Sequence, residues 1–589
     1  MYYPKVDILK GIKGLKMATK LPNRKRASNN IPKIWDINDL LECIQGHGDK
    51  VCYKYFEGGK VKEMTYREVH VMVNQIAAAF DKLELSGKRV AVIGDTSPQW
   101  LCTYMGALAS GTVIIPMDKE LALPEIEKFL EMVEAEAIVY SKSFNEKFVT
   151  TIGSHPTLKR FIPISADYDS SFNEKVLPFS NLISIGQAHI EEGYTIGMVK
   201  NRDEMCEMLF TSGTTGTSKC VMLSQKNIFA AVSSAIDTVC FTHDDVIVSV
   251  LPVHHTYELM CLLAELAFGI TTCINDSLRH VLRNFQLFKP TGLILVPMFL
   301  NTMHKKIWSE AERTGKDGTL KAALATSRGM MKVGIDMRRT IFKSVLDSFG
   351  GRLDHIICGG AKLNPELITA FEDFGISVFE GFGITECSPL VSVTPYYNRK
   401  LGAIGPAVPS CRVRIDPNGD VTDEGYTMGE IQVKGDNVMI GYYNNPEANA
   451  EVFTHDGWFR TGDIGYMDNE NFIYITGRIK FVIVLENGKN VFPEEIEEYL
   501  DVIETISECC VVGRKSEDSD EIILTAVVYP DYSKFPDDAD EKLIKDIIRK
   551  EINATNKKLP TFKQIKAVEI RRSEFEKTTT KKIKRQLVK

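Results

Sequence analysis

LFTSGTTGTSKCVML, from Leu209 to Leu223, is a turn of glycine and small hydroxylated residues, then a lysine and an apolar run. Gly213 and Gly216 have no side chain to keep an anion off the backbone N–H groups, and successive amides in such a turn form a concave donor surface. Thr211, Ser212, Thr214 and Thr215 add hydroxyl donors, and Lys219 adds a mobile positive charge. This is the chemistry of a phosphate cradle, although Gly/Ser/Thr clusters between periodic segments are more often plain loops. The spacing Gly213, Gly216, Lys219 does not match the GxxxxGK[ST] nucleotide loop, so the flanking chain has to decide.

Upstream, strand and helix patterns alternate. Trp35 to Phe80 reads as a strand-rich entry followed by a helix carrying Val69, Val73, Ile76 and Ala77 at helical spacing. Apolar β-branched runs at Arg89–Ile93, Thr112–Pro116 and Ala137–Tyr140 are separated by helical sequence, the pattern of parallel sheet covered by helices. Downstream the theme repeats at Val246–Leu251, Leu293–Val296 and Leu353–Cys358, with a helical insertion over Lys305–Phe349. Past Pro406 the strands shorten and glycines punctuate them. From Lys480 a smaller unit with strands and one helix follows.

The reading is therefore an α/β fold in three parts: a basic arm over residues 1–30, a large N-terminal domain over 31–479, and a small C-terminal α+β domain over 480–589. The large domain is expected to hold helix-covered, mostly parallel sheets plus a β-rich subdomain. With 589 residues the chain has ample volume for several cores. Its net charge of −7, spread over that length, gives no argument for a nucleic-acid partner. Thirteen scattered cysteines without a CxxC pair point to a reduced, cytoplasmic protein rather than a disulfide or zinc framework. In the basic arm, Ile8, Leu9, Ile12 and Leu15 interleave with Lys10, Lys13 and Lys16, a pattern compatible with peripheral contact to an anionic membrane. Gly11 and Gly14 weaken any helix there.

Further constellations follow the loop in order. Cys358-Gly359-Gly360-Ala361 ends a strand with glycines that let a flat ring approach the backbone. Glu380-Gly-Phe-Gly-Ile-Thr-Glu386 sets an aromatic ring, a hydroxyl and a carboxylate close together: Phe382 to stack on a base, Thr385 to bond a phosphate, Glu386 to hold Mg2+. Gly457-Trp-Phe-Arg-Thr-Gly-Asp463 and Thr476-Gly-Arg478 add an acid and an arginine at turns.

These motifs, standing in this order from about Trp35 to the C-terminus, resemble the adenylate-forming superfamily of acyl-CoA synthetases, nonribosomal-peptide adenylation domains and luciferases. LPVHHTYEL at Leu251–Leu259 and the helical insertion most resemble long-chain fatty acid CoA ligases. The resemblance implies that Thr211 to Gly216 and Lys219 cradle the ATP phosphates, and that Gly359, Gly360, Ala361, Phe382 and Gly383 enclose adenine. It assigns Thr385 and Glu386 to the α-phosphate and Mg2+, and Asp463 and Arg478 to the ribose. Lys480 falls at a hinge, and Lys582, in the basic tail, falls at the catalytic lysine. His255 and Tyr257 would line the acyl pocket, and Gly488 the CoA tunnel. The implied reaction consumes a fatty acid and ATP, releases pyrophosphate, then transfers the acyl group to CoA and releases AMP, with the small domain rotating between steps. Transfer to a separate carrier protein, and a non-catalytic nucleotide-binding relative, are the alternatives.

Four positions depart from the pattern: Cys220 and Lys581 stand where glycine is usual, Gln225 where histidine is, and Phe481 where an acid is. None removes a charged group of the implied chemistry.

Overall fold

The computed structural model describes residues 31–165, 173–211, 218–486, 489–515, 521–536, 538–577 and 583–588. The short β-branched runs are strands at the middle of two large sheets. In the first, Arg89–Ile93 lies between Val113–Met117 and Ala137–Tyr140, parallel to both; Arg160–Pro163 extends one side, and Met205–Thr211, Lys219–Ser224 and Gly441–Tyr442 the other. Along the central strand Val90 and Val92 enter one core while Ala91 and Ile93 enter another, the period-two alternation of a strand buried on both faces.

The second sheet has eight strands. Its interior strands, Ser377–Gly383, His355–Gly359, Gly292–Leu295, Val246–Ser249, Thr271–Ile274 and Val51–Glu57, pair in parallel, and its two edge pairings are antiparallel. The mostly parallel, helix-covered arrangement is thus as the sequence pattern implied. The β-rich part is a four-stranded antiparallel sheet formed by Cys411–Val421, Thr427–Gly435, Phe459–Met467 and Ile473–Arg478.

Helices between and around the sheets start and stop where their sequences say. Pro98–Ser110 opens on Ser97, whose hydroxyl accepts from Trp100 N, and stops at Gly111 in the left-handed region. Tyr66–Lys82 carries a capping box between Thr65 and Glu68. The helix Thr256–Phe268 is buried at every position except Tyr257, and joins Gln225–Thr238 in the largest core. One expectation is corrected: the entry after Trp35 begins with a helix, Ile37–Gly46, not a strand. Its buried Ile37, Leu40, Leu41 and Ile44 follow helical spacing, and Asp36 caps it by accepting from Asn38 N and Asp39 N.

From Val491 onward the chain packs around its own core, including Ile496, Leu500, Val511, Leu524, Ile548 and Val568. Polar groups are among its contacts with the rest. Lys362 Nζ lies 2.7 Å from Glu498 Oε1, Asn364 Nδ2 donates to Glu498 O at 3.0 Å, and Lys305 Nζ donates to Ile506 O at 3.1 Å. Among the described residues no helix is long and apolar enough to cross a membrane. All the cysteines are free thiols, every one buried except Cys43. The basic arm lies outside the described residues.

Candidate functional site

Thr211 and Lys219 close the register of an antiparallel pair, Met205–Thr211 with Lys219–Ser224, so the Gly/Ser/Thr stretch connects two antiparallel strands in sequence. This separates it from a strand-to-helix phosphate loop, in which a helix N-terminus faces the anion. Ser212, Gly213, Thr214, Thr215 and Gly216 lie outside the described residues. Thr211 Oγ1 donates to Lys219 O at 3.4 Å between the two strands.

Beyond this strand pair, a strap the sequence reading did not single out ties two motifs together. Ile440 N donates to Met222 O and Tyr443 N to Cys220 O, so the strap pairs with the strand of Lys219. Met439 N donates to Glu386 O at 2.8 Å, so it also grips the Glu386 turn. Between them, Tyr442 donates its phenol to Glu386 Oε1 at 2.8 Å, and Lys219 Nζ sits 4.7 Å from the centre of the Tyr442 ring. Asn449 clamps the Tyr442 backbone from both sides, accepting from its N–H at 2.7 Å and donating to its carbonyl at 3.0 Å. Burial and then the nearby Glu386 charge push the Tyr442 phenol far above its ordinary range, so it stays a donor at any working pH. The signal available in the sequence was Gly441-Tyr442 ahead of Asn445-Pro446, a capped helix start, which says nothing of Glu386.

Strands His355–Gly359 and Ser377–Gly383 lie side by side with Gly359 opposite Gly381. Glycine is demanded here by space. A Cβ on Gly359 would stand 3.0 Å from Gly381 O and 3.3 Å from the Tyr257 phenol carbon, and one on Gly383 would stand 2.2 Å from Pro389 O. The turn at Gly360 and Ala361 and the half-buried Phe382 ring thereby border an open slot. Across from it Asp463 and Arg478 are register partners in the antiparallel sheet. Arg478 Nε lies 2.8 Å from Asp463 Oδ1, and Asp463 is only 4 % exposed. The Asp463 charge holds the Arg478 guanidinium above its ordinary value against burial, and the Glu386 charge adds to it.

All these groups face one cleft of about 2630 Å³, whose walls include Thr211, Lys219, His255, Tyr257, Gly360, Ala361, Phe382, Gly383, Thr385, Glu386, Asp463, Arg478 and Lys480. Gly359 is the exception; it lines a smaller cavity of about 70 Å³ that shares Tyr257 and Phe382 with the cleft. That cavity is apolar, walled by Met260, Cys261, Ala264, Phe268, Ile294, Ile357, Leu390 and Val393. His254, also missed, shares the cleft wall with its ring centre 4.2 Å from that of His255; burial and then Lys119 lower its pKa to about 3, so it is neutral there despite Asp118 at 3.6 Å. Among the described residues no three His, Cys, Asp or Glu side chains cluster as a metal cage.

The far wall comes from the small domain. Lys577, Ile583, Lys584 and Arg585 line the cleft, and Lys577 bridges Ile583 as an antiparallel pair. Lys581 and Lys582, between them in the sequence, lie outside the described residues, as does Gly488. Three departures from the resemblance have structural partners. Cys220 is buried in the second core of the first sheet. Gln225 accepts from Ile37 N at 3.0 Å and donates to Leu108 O at 3.1 Å. Phe481, beside Lys480 in the turn Ile479–Phe481, lies 5.2 Å beneath the Arg585 guanidinium, which also pairs with Glu497.

Comparison with known proteins agrees with this arrangement. Residues 40–443 match the model of the AMP-binding enzyme family, and residues 480–589 that of the AMP-binding enzyme C-terminal domain. The chain is 26% identical over 486 residues to the long-chain-fatty-acid–CoA ligase FadD15 of Mycobacterium bovis, covering 79% of this chain and 78% of that one. In fold it resembles the adenylation domain of a Mycobacterium chelonae carboxylate reductase, with a TM-score of 0.78, 21% identity, and coverage of 95% of this chain and 90% of that one. It also resembles the anthranilate CoA ligase AuaEII in complex with anthranoyl-AMP, with a TM-score of 0.73, 20% identity, and coverage of 95% and 97%. With the family model spanning most of the chain and most of the described motif residues on one cleft, the chain belongs to the AMP-binding enzymes.

Proposed function

We propose that this protein is an ATP-dependent fatty acid–CoA ligase acting on long-chain acids. The observation that carries the reading is the meeting of Lys219, Glu386 and the Asp463–Arg478 pair on one cleft, with an apolar cavity adjoining it at Tyr257. In this reading the Gly/Ser/Thr stretch and Lys219 hold the phosphates, the slot between Gly360 and Phe382 takes adenine, and Asp463 takes the ribose hydroxyls.

A carboxylate attacking the α-phosphate is an anion approaching an anion, so catalysis requires positive charge where negative charge accumulates. Lys219 and Arg478 flank the site on one side, and Lys582 is proposed to come from the small domain on the other. The acid's oxygen bonds to the α-phosphorus as pyrophosphate leaves. In the second half, the CoA sulfur bonds to the acyl carbon as AMP leaves. Glu386 offers a carboxylate to the cleft from the turn Thr385–Cys387, which suits Mg2+, a cation that uses one or two protein carboxylates and fills its shell with phosphates and water. Bound there, Mg2+ would neutralise phosphate charge.

The apolar walls favour an alkyl tail by about 0.8 kcal/mol per buried methylene. A long chain needs the 70 Å³ cavity to widen, and the Met and Leu side chains that wall it are the ones that yield most readily. The long-chain assignment rests on the curated relative's name and on these walls. Domain rotation about Lys480 and a CoA path past Gly488 belong to the same proposal.

The deciding experiment is AMP and pyrophosphate release from Mg-ATP with acids of graded chain length, with and without CoA. Release that requires both a long-chain acid and CoA, with matching thioester, is expected. Turnover only with short or aromatic acids would remove the substrate assignment, and adenylation without CoA consumption would move the acceptor to a carrier protein.

A further inference from the structure

Nothing in the motif order assigns a role to Tyr442, yet its side chain touches both the Lys219 ammonium and the Glu386 carboxylate. The three groups come from separate segments, and the strap of Met439 to Tyr443 holds them in register through its hydrogen bonds to Met222, Cys220 and Glu386. Gly441 makes this approach feasible: at φ +153 its missing side chain leaves Asn449 free to clamp the Tyr442 backbone, and a Cβ there would lie 3.1 Å from Asn449 Oδ1.

Resting on the ligase reading above, we infer that Tyr442 is a positioning residue for the metal–nucleotide complex. Its phenol fixes one oxygen of Glu386, a cleft-lining residue, leaving the other for a cation, and its ring holds Lys219 beside the same cleft. A carboxylate has two oxygens and about four lone-pair sites, so one hydrogen bond from Tyr442 orients it without using up its capacity for a cation. Holding one side chain in place before binding saves the ordering cost at the moment of binding.

The test is a titration of ATP binding at graded Mg2+, read by calorimetry on the full chain, for the wild type and Tyr442→Phe. The Phe variant keeps the ring under Lys219 and the fold, and loses only the donor. The Mg2+ concentration for half-maximal tightening of ATP binding should rise about three- to tenfold, the size of one ordinary hydrogen bond net of its exchange with water, since the phenol orients the carboxylate rather than binding the cation. ATP affinity without Mg2+ should not move. In a Glu386→Gln background, Tyr442→Phe should add nothing, a signature that a merely structural tyrosine would not produce. An unchanged Mg2+ midpoint in a wild type that binds ATP would overturn the positioning role and leave the ligase reading standing. A wild type that binds no ATP at any Mg2+ level would overturn both.

Discussion

Replacing Asp463 by asparagine keeps the side chain's shape and removes its charge. The carboxylate is 4 % exposed and lies 2.8 Å from Arg478 Nε, whose own side chain is 38% exposed. Because solvent reaches the arginine and screens the pair, the loss of ion pairing should cost only about 1–2 kcal/mol of stability. The larger effect is on nucleotide. A carboxylate accepting from two ribose hydroxyls makes charge-assisted hydrogen bonds, and an amide makes neutral ones, a difference of about 2–3 kcal/mol in total, or roughly 30- to 150-fold in Kd. Equilibrium binding of ATP and of 2′,3′-dideoxy-ATP to both proteins separates direct from indirect action. The wild type should discriminate strongly between the two nucleotides, and Asp463→Asn should discriminate roughly 30- to 150-fold less. If the variant binds ATP as the wild type does, or weakens for both nucleotides equally, Asp463 does not touch the ribose and the assignment is wrong.

Three other outcomes follow from the geometry. Gly359→Ala puts a Cβ 3.0 Å from a carbonyl and 3.3 Å from the Tyr257 ring, and should cost about 1–3 kcal/mol while weakening ATP binding; an unchanged melting temperature would mean the strands part freely. Burial pushes the Glu265 carboxyl up to about 8, above its unfolded value near 4.5. The folded chain therefore keeps a proton that the unfolded chain has released, and stability should fall between about pH 4.5 and 8, on the order of 1.4 kcal/mol per pH unit. Glu265→Gln should remove that slope, and parallel urea-denaturation profiles from pH 5.5 to 7.5 would count against it. Lys362→Met deletes the ammonium that grips Glu498 from the large domain, and should raise protease cleavage around Lys480 several-fold by loosening the small domain; identical digestion rates would show that the other contacts suffice.

The motif residues were legible because each carries its chemistry locally. The glycines at 359 and 383 stand where a Cβ is crowded, and Asp463 and Arg478 sit in short motifs, Gly457–Asp463 and Thr476–Arg478, on paired strands. The alternating runs likewise reported sheets buried on both faces, since only buried parallel strands are apolar on every side. The helix Ile37–Gly46 was misread although its spacing and its Asp36 cap were both present in the sequence; both signals are weak in a ten-residue element bordered by strand-like residues. Tyr442 was illegible for a different reason, because its partner Glu386 lies 56 positions away and only the register of the strap on Lys219–Ser224 brings them together.

By itself the sequence determined the α/β class, the family and a set of candidate residues that the cleft gathers, because those depend on residue type and on spacing within a few positions. Tertiary structure decided that the strands on either side of the Gly/Ser/Thr stretch pair antiparallel, that Tyr442 joins Lys219 to Glu386, and that Tyr257 borders both the cleft and the apolar cavity. Each of these is a contact between segments distant along the chain, set by strand register and packing rather than by any local preference.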